Sequence, residues 1–414
     1  MSNQISAPSA VTPLSGRPPV ILQVLPSLVT GGVERGTIDM AAAIHDAGWT
    51  ALVASNGGHM VRELDRMGVK HIQLPLHSKN PLVIRRNIAL LEQVIREYGV
   101  DIVHARSRAP AWSAWYAAQK TGAHFVTTFH GTYNLDWSGL KHRYNAIMTR
   151  GERVIAISHF IARHMQEVYQ TDPARIRVVH RGFDAAKFDP ARVSQERIIQ
   201  LAQRWRLPDG YPVVMLPGRL TRWKGQSVLI EALAMLGRRD VRCLLVGSDQ
   251  GRTAYTEELK TQVERRGLTD VVHIVGECSD MPAAYMLTDV VVSASTDPEA
   301  FGRVIVEAQA MGRPVIATNN GAGVENVLDG QTGLLVPPND PGELASALDR
   351  ILAMNTEQRG MLAEAASEFV HENFTRDLMC ARTLAVYEEV LSEARSVVAD
   401  DSGAEGADDA IAAD

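Results

Sequence analysis

The chain has 414 residues, 45% of them hydrophobic and 22% charged, which is typical of a soluble globular protein with two domains. Its net charge of −6 is unevenly distributed: residues 17–195 carry 22 Lys/Arg against 14 Asp/Glu, residues 196–396 carry 20 against 28, and residues 397–414 carry six acids and no base. No run of 18 apolar residues is present, and the N-terminus lacks a basic stretch followed by an apolar one. Neither a membrane-spanning helix nor a secretory signal is therefore expected.

The two ends of the chain differ in composition from the rest. Residues 1–16, which are uncharged and rich in Ser, Ala and Pro, and the acidic residues 397–414 are both predicted to be disordered. Cys243, Cys278 and Cys380 have no metal-binding spacing and are too few for a disulfide framework. Free thiols of this kind are typical of a reducing compartment, so we expect the protein in the cytoplasm.

The first half of the chain alternates short apolar runs with amphipathic segments. Strands are predicted at Val20–Leu25, Thr50–Ala54, His71–Leu74, Ile102–His104, Phe125–Phe129, Val154–Ile157 and Ile176–Val179. A helix from about 35 to 47 follows the first strand, and similar segments separate the others. This alternation predicts a parallel, doubly wound sheet, in a domain that we assign to residues 17–195.

The second half repeats the pattern after a hinge near 191–209. Its predicted strands are Val213–Leu216, Arg242–Val246, Val271–Val275, Val290–Ser293, Val315–Ala317 and Gly333–Val336, and its helices lie near 224–237, 253–266, 299–311 and 341–354. We assign this domain to residues 196–370 and expect a C-terminal helix, 371–396, to pack back on the first domain. The whole pattern predicts an α/β fold of two Rossmann-like domains facing across a cleft.

Two glycines, Gly31 and Gly32, follow the first predicted strand and open a helix. Backbone N–H groups can approach an anion there, at the positive end of the helix dipole. The spacing is not GxGxxG and no acidic residue ends the second strand, so a nicotinamide dinucleotide is not expected. A plain structural turn is an equally good reading of the two glycines.

A cationic loop follows the first strand of the second half. Gly218 and Arg219 are followed five residues later by Lys224, at a strand's carboxyl end, where ligands bind in such sheets. Arg can fork onto phosphate oxygens and Lys supplies a point charge, so the two can stabilise a diphosphate without a metal. The alternative is a solvated pair of charges.

Basic and aromatic residues also follow the strand at 102–104. Arg106 and Arg108 lie just past its end, and Trp112, Trp115 and Tyr116 come next on a predicted helix. Such residues can hold an acidic sugar or lie at a lipid interface. The alternative is that the aromatic rings pack in the core with the arginines at its rim.

The strongest signal is a pair of carboxylates, Glu299 and Glu307, that flank a Phe301-Gly302 turn. Glu299 precedes a predicted helix and Glu307 lies about two turns later, a span of ~10 Å. That separation suits two ends of one ligand better than two acids sharing a proton. Together with the strand that follows, Asp297–Thr318 resembles the E-x7-E signature of the retaining glycosyltransferases of family 4.

The resemblance covers nearly all of residues 20–390 and is most specific from Gly218 to Pro337. It implies the GT-B fold. Within the family, the segments HARSRAPAW, TTFHGTY and GRLTRWKGQ are most similar to the mannosyl- and glucosyltransferases of the lipopolysaccharide core of Gram-negative bacteria. The reaction implied is hexose transfer, with retained configuration, from a nucleotide diphosphate sugar to a glycolipid. The anionic character of such an acceptor agrees with the excess of basic residues in 17–195.

Roles for individual residues are implied by this resemblance. The catalytic set is His130, Arg219, Lys224 and Glu299. In it, His130 reaches the donor sugar from a strand end, and Glu299 lies beside that sugar. Glu307 takes the ribose hydroxyls. By the same resemblance, the N–H groups of Ala300, Phe301 and Gly302 meet the hydroxyls of the donor sugar. Positions after predicted strands, not the resemblance, add candidate donor contacts at Gly31, Gly32, Gly218, Gly247, Gly276 and Glu325, and candidate acceptor contacts at Arg106 and Arg108.

No metal and no cofactor are expected, because no Asp-x-Asp motif appears and the nucleotide sugar (GDP-mannose, a UDP-hexose or an ADP-hexose) is itself the donor. No carboxylate is an obvious nucleophile, which favours departure of the diphosphate from the face that the acceptor attacks. The expected partners are this donor and an anionic glycolipid, not nucleic acid, with peripheral contact with the inner membrane left open. Two alternatives stay open: a nucleotide-sugar epimerase or sugar-phosphate synthase on the same fold, and a non-catalytic nucleotide-sugar-binding protein.

Overall fold

A computed structural model describes residues 17–133 and 139–405 of the chain. The chain divides into two compact units: the first is Met1–Val179 with Asp377–Asp414, and the second is His180–Arg376. Each unit contains one sheet in which all strands are parallel, with helices between successive strands. The predicted fold class of two Rossmann-like domains is confirmed. The predicted disorder of residues 1–16 lies outside the described residues.

The first unit has a seven-stranded sheet in the order β3-β2-β1-β4-β5-β6-β7. Its strands are β1 (Val20–Val24), β2 (Thr50–Ser55), β3 (Lys70–Gln73), β4 (Ile102–Ala105), β5 (His124–Phe129), β6 (Arg153–Ala156) and β7 (Ile176–Val178). The helices between them are α1 (Gly32–Asp46), α2 (Val61–Arg66), α3 (Pro81–Tyr98), α4 (Arg108–Thr121), α5 (Leu140–Asn145) and α6 (His159–Tyr169).

The second unit has a six-stranded sheet in the order β10-β9-β8-β11-β12-β13. Its strands are β8 (Val213–Pro217), β9 (Arg242–Val246), β10 (Val272–Gly276), β11 (Val290–Ser293), β12 (Val315–Thr318) and β13 (Leu334–Val336). Its helices are α7 (Gln195–Arg204), α8 (Gln226–Leu236), α9 (Thr253–Arg265), α10 (Met281–Met286), α11 (Arg303–Ala310), α12 (Gly323–Asn326), α13 (Pro341–Leu352) and α14 (Thr356–Asn373).

Central strands such as β1, β8 and β11 are buried along their whole length. Helices cover both faces of a parallel sheet, and this explains why these strands read as continuous apolar runs rather than alternating ones. The core of the second unit joins the inner faces of β8, β9 and β11 to residues of α8, α9 and α13. Within the described residues, no helix combines the length and the apolar composition needed to cross a bilayer.

The last helix, α15 (Arg376–Glu405), contributes to the core of the first unit. Cys380, Leu384 and Tyr387 are buried there with residues of β1, β2 and α1. On the same helix, the Glu389 carboxylate forms ion pairs with Arg153 and Arg177 of the first unit. A helix that is distant in sequence is therefore part of the first hydrophobic core.

The boundaries differ from those predicted in three places. The units divide at Val179/His180, not at 195/196, because backbone hydrogen bonds join Phe183 to Phe374 and Arg376 of the second unit. The predicted hinge contains α7, whose start is capped by the Ser194 side chain. At the C-terminus, α15 extends nine residues into the predicted disordered tail, since each residue added to a formed helix gains a hydrogen bond. Residues 406–414 lie outside the described part.

The helix expected at 299–311 begins later, at Arg303. Gly302 has φ 82°, a left-handed conformation that ends the preceding loop and places the helix start after it. Glu299 is therefore on a loop and Glu307 is the fifth residue of α11.

Candidate functional site

The two loops that carry the predicted catalytic residues of the second unit follow neighbouring strands. From β8 the chain builds the sheet to one side through β9 and β10, and then returns to the other side at β11. The point between β8 and β11 is thus the topological switch point, where ligands bind at the carboxyl ends of the strands in such sheets. The loop with Lys224 follows β8 and the loop with Glu299 follows β11.

Lys224 and Glu299 form an ion pair between Nζ and Oε1. Both side chains are largely buried, at 14% and 10% exposure, and the Ser295 hydroxyl donates a second hydrogen bond to the same carboxylate oxygen at 2.7 Å. The Lys224 ammonium also lies 4.3 Å from the centre of the Trp223 ring. A buried cation and a buried anion are thus held together at the switch point of the sheet.

Close backbone contacts hold these two loops in register. Gly225, which follows Lys224, has φ 72°, and a Cβ at this position would lie 1.8 Å from the carbonyl oxygen of Ala294. The Thr296 N–H donates to the carbonyl of Trp223 at 2.8 Å. Only glycine fits at 225, so this residue type is what allows Lys224 to approach the end of β11.

A second glycine supports Glu299 from the loop after β12. The Ala322 N–H donates to the carbonyl oxygen of Glu299 at 2.8 Å. A Cβ on Gly321 would lie 2.4 Å from that same oxygen, and Gly321 has φ 59°. The backbone of Glu299 is therefore fixed by a contact that requires glycine, which the sequence prediction did not identify.

Glu307 lies inside the unit, on α11, with 7% exposure. The Tyr285 hydroxyl donates to its Oε2 at 3.2 Å, and Arg303 lies 3.6 Å from Oε1, one turn earlier on the helix. Burial raises the pKa of the Glu307 carboxyl, and the Arg303 charge and the Tyr285 hydrogen bond oppose that shift. Tyr285 was missed by sequence reasoning, because its only signal is a contact across 22 residues.

The turn between the two glutamates is held by side chains that follow β12. The Asn326 side-chain amide donates to the carbonyl of Phe301, whose ring is buried. Ala300 and Gly302 are half-buried beside it. Glu325, one residue before Asn326, accepts a hydrogen bond from His180 Nε2 on its Oε2 at 3.0 Å. His180 is a further residue that the sequence prediction missed.

Three predicted glycines lie side by side at the ends of β8, β9 and β10. The Gly218 N–H donates to the carbonyl of Val246 and the Gly247 N–H to that of Gly276, both at 2.8 Å. A Cβ on Gly247 would lie 1.9 Å from the carbonyl oxygen of Gly218. Arg219 follows directly and its side chain is exposed. The structure therefore brings Gly218, Gly247 and Gly276 together, with Arg219 at the edge of the group.

In the first unit, Gly31 is the N-cap residue of α1, with φ 153°, and Gly32 is the first residue of that helix. Strands β1 and β4 are neighbours at the switch point of this sheet, and β4 is followed by Arg106 and Arg108. His130 comes directly after β5 and is half-buried. All five residues follow carboxyl ends of adjacent strands, as predicted from the strand pattern.

The two arginines have different surroundings. Arg106 is 5% exposed, and burial lowers the pKa of its guanidinium, while Tyr387, Cys380 and Asp39 nearby favour its charged form. Arg108 is half-buried; its Nη1 donates to Asn145 Oδ1 at 2.8 Å, and its guanidinium lies 4.0 Å from the centre of the Tyr133 ring. A role in acceptor binding stays a prediction for both, and Arg108 is the more accessible of the two.

Among the described residues of each unit taken by itself, no three His, Cys or carboxylate ligand atoms lie close enough together to hold a metal ion. The expectation of no metal stays a prediction. Chemically, the second unit offers two cations and a buried carboxylate pair suited to hydroxyl groups and phosphates.

Two family models together match most of the chain. The model described as Glycosyltransferase Family 4 matches residues 30–187, and the model described as Glycosyl transferases group 1 matches residues 198–369. The D-inositol 3-phosphate glycosyltransferase of Salinispora tropica is 31% identical over 336 residues, which cover 75% of this chain and 68% of that protein.

Solved structures agree. A glycosyltransferase from Rickettsia africae is 42% identical, with a TM-score of 0.84 and coverage of 90% of this chain and 99% of that one. Anabaena HepE, solved in complex with UDP-glucose, is 26% identical, with a TM-score of 0.75 and coverage of 88% and 99%. The chain belongs to the GT-B glycosyltransferases, and its two units carry the family 4 and group 1 glycosyltransferase domains.

Proposed function

We propose that this glycosyltransferase transfers a hexose, glucose or mannose, from a nucleotide diphosphate sugar to a lipopolysaccharide-core or related anionic glycolipid, with retention of configuration. The observation that carries the proposal is the ion pair of Lys224 and Glu299 at the switch point, with the buried Glu307 on the adjoining helix. In this proposal, Lys224 contacts the diphosphate of the donor, Glu299 its sugar and Glu307 its ribose.

In the proposed reaction, the bond between the sugar C1 and the diphosphate oxygen breaks, and the acceptor oxygen bonds to C1 on the same face. The acceptor proton passes to the departing phosphate oxygen. Lys224 and Arg219 stabilise the charge that develops on the diphosphate, which is where preorganised charges contribute most to catalysis. Glu299 orients the sugar by accepting hydrogen bonds from its hydroxyls, and His130, which follows β5, is the further residue assigned to contact with the sugar.

Glu307 accepts hydrogen bonds from the two ribose hydroxyls, since a carboxylate binds a pair of O–H donors well. Glu325 borders the sugar pocket, and the N–H groups of Ala300, Phe301 and Gly302 contact the sugar hydroxyls. In this scheme, side chains supply the positive charge that stabilises the diphosphate. Turnover is therefore expected to be insensitive to EDTA.

For the donor, the relationship to HepE, which was solved with UDP-glucose, supports a UDP-hexose as the first compound to test. For the acceptor, residues 17–195 carry 22 basic against 14 acidic residues, which favours an anionic molecule. Relatives named for D-inositol 3-phosphate indicate a second, smaller anionic acceptor to compare.

The test is a matrix of UDP-glucose, GDP-mannose and ADP-glucose against Kdo-lipid A and D-inositol 3-phosphate, with and without EDTA. Mass spectrometry of the product gives the acceptor, and NMR of its anomeric proton gives the configuration. We expect one donor to be transferred to Kdo-lipid A with its anomeric configuration kept. Transfer only to D-inositol 3-phosphate, or an inverted product, would contradict the proposal.

Each donor is also incubated without an acceptor. An epimerase on the same fold would convert the sugar, whereas the proposed transferase hydrolyses it only slowly. Binding of a donor with no turnover on either acceptor would instead favour a nucleotide-sugar-binding protein.

A further inference from the structure

An exposed surface of the first unit combines cations with large apolar side chains. It lies on the loop before α3, on the first turns of α3, and on α5, and we call it the basic helix surface. All of its members are exposed: Lys79, Leu82, Arg85, Arg86, Leu140, Lys141 and Arg143.

On α3 the members of this surface share one face. Leu82, Arg85 and Arg86 are three and four residues apart, the spacing that places side chains next to each other along a helix. The opposite face of α3, with Asn87, Leu91 and Val94 among others, is buried in the unit. The helix therefore packs with its apolar face and presents, on its outer face, a leucine followed one turn later by two arginines.

Helix α4 connects the two parts of the surface. The Ser113 hydroxyl of α4 donates to the carbonyl of Ile84 on α3 at 3.1 Å. On the other side, the Trp112 indole N–H donates to the carbonyl of Tyr144 on α5 at 3.2 Å, and the two rings are stacked. The first turn of α3 and the end of α5 thus contact the same turn of α4.

The charge of this region is one-sided. Residues 67–151 contain 11 Lys/Arg and 4 Asp/Glu. Lys79, Arg85, Arg86 and Arg143 have no ion-pair partner among the described residues, whereas several other cations of the unit pair with carboxylates, including Arg17, Arg35, Arg96, Lys120, Arg153 and Arg177. Within the described residues, the positive charge of these four side chains is therefore not neutralised by an ion pair.

The two leucines are the most exposed large hydrophobic side chains among the described residues, at 77% for Leu82 and 68% for Leu140. A single exposed leucine is ordinary on a protein surface. Two of them, each beside arginine or lysine on the flanks of one helix, match the pattern of surfaces that lie in the headgroup region of a bilayer.

We propose that the basic helix surface docks on an anionic phospholipid bilayer, with Leu82 and Leu140 entering the headgroup region and the cations contacting lipid phosphates. The biological reason for docking rests on the proposed function, because a glycolipid acceptor is itself located in a bilayer. The binding of the protein to vesicles can be tested independently of that function, since docking requires neither donor nor acceptor.

The experiment is co-sedimentation of the full chain with vesicles of phosphatidylglycerol and phosphatidylcholine, or of phosphatidylcholine alone, at low and high salt. The wild type is expected to bind only the anionic vesicles and to be released by salt, because exposed charges are screened. Arg85→Glu with Arg86→Glu should weaken binding by at least about 25-fold, since each cation near an anionic surface contributes about fivefold. Leu82→Ser should weaken it about tenfold.

Matched controls come from the second unit. Arg265→Glu with Arg350→Glu makes the same change of net charge at two exposed arginines, and Met361→Ser removes a side chain that is 67% exposed. Both variants should bind vesicles like the wild type. Equal loss in these controls, failure of the wild type to bind anionic vesicles, or retention on heparin without vesicle binding would each overturn the proposal. Transfer to a soluble acceptor is measured separately, and its loss would bear on the proposed function alone.

Discussion

Lys224 and Glu299 are 75 residues apart in sequence, yet they form an ion pair at the carboxyl ends of two adjacent strands. The pairing follows from the order of the sheet, which places β11 beside β8. A cation expected to bind phosphate and a carboxylate expected to bind sugar therefore belong to one charge-balanced group. Changing either one also changes the surroundings of the other.

Lys224→Ala should lower kcat by at least about 100-fold, the loss typical of removing one preorganised electrostatic contact. It also leaves the buried Glu299 carboxylate without its cation, which should lower the free energy of unfolding by about 1–3 kcal/mol. Adding Glu299→Gln should restore most of the stability but none of the activity. Thermal melts and initial rates separate the two effects, and unchanged turnover with every candidate donor would remove Lys224 from the mechanism.

Gly321→Ala should lower kcat by about 10- to 100-fold, because its Cβ would collide with the carbonyl oxygen of Glu299 and shift that residue. Gly330→Ala is the matched control: Gly330 also has a positive φ, 74°, but no atom lies within 4 Å of its Cβ position. Both variants should lose about 1–2 kcal/mol of stability from backbone strain. A similar loss of kcat in both would show that strain, not the contact with Glu299, is responsible.

Tyr285→Phe should weaken binding of the nucleotide by about five- to tenfold, the value of one hydrogen bond that orients a carboxylate. The variant removes the hydroxyl that contacts Glu307 and leaves the buried ring in place. Isothermal titration with the nucleoside diphosphate measures the effect, with kcat at saturating donor expected to change little. Tyr211→Phe, at an exposed tyrosine of the same unit, is the control.

Glu307 should make stability depend on pH. Burial raises the pKa of its carboxyl above the ordinary value of 4.5, so the folded protein holds this proton more tightly than the unfolded chain. The resulting stabilisation is complete below about pH 4.5 and is lost as pH rises through the folded-state pKa. The melting temperature of Glu307→Gln, relative to the wild type, should therefore increase between pH 4.5 and pH 8. A constant or decreasing difference would contradict this.

Much of the fold was accessible from sequence because strands buried on both faces are continuous apolar runs. Arg242–Val246 and Val290–Ser293 were predicted with the bounds that the structure shows. The start of α11 was not, because Gly302 adopts φ 82° and delays the helix by four residues relative to 299. The chain has 32 glycines, and no periodic pattern in the sequence marks Gly302 as the one that delays this helix.

For the site, sequence spacing identified the residues that follow strands, but not their partners. The Tyr285–Glu307 and His180–Glu325 contacts join side chains 22 and 145 residues apart, and nothing local marks either partner. Arg106 was expected near the surface, yet it lies at 5% exposure, because the residue after β4 faces the last helix of the chain. Such contacts depend on how distant elements pack, which a single sequence does not encode in its spacing.

The attachment of α15 to the first unit can be tested at Tyr387. Its hydroxyl is hydrogen-bonded to His104 Nδ1 at 2.6 Å, and Thr128 occupies the other ring nitrogen at 2.7 Å. Burial, reinforced by the nearby Arg106 charge, holds the pKa of His104 well below its usual range, so the ring is neutral and each nitrogen needs one hydroxyl. Tyr387→Phe leaves Nδ1 without its partner in a fully buried position, which should cost about 1–3 kcal/mol.

Thermal or urea unfolding of Tyr387→Phe should show this loss, with kcat unchanged below the transition because Tyr387 has no role in the proposed chemistry. Ser392→Ala is the control: it removes an exposed hydroxyl of the same helix, which donates to the carbonyl of Glu389 three residues earlier. If the two variants unfold alike, the His104–Tyr387 hydrogen bond does not hold the last helix, and the ion pairs of Glu389 with Arg153 and Arg177 become the next contacts to remove.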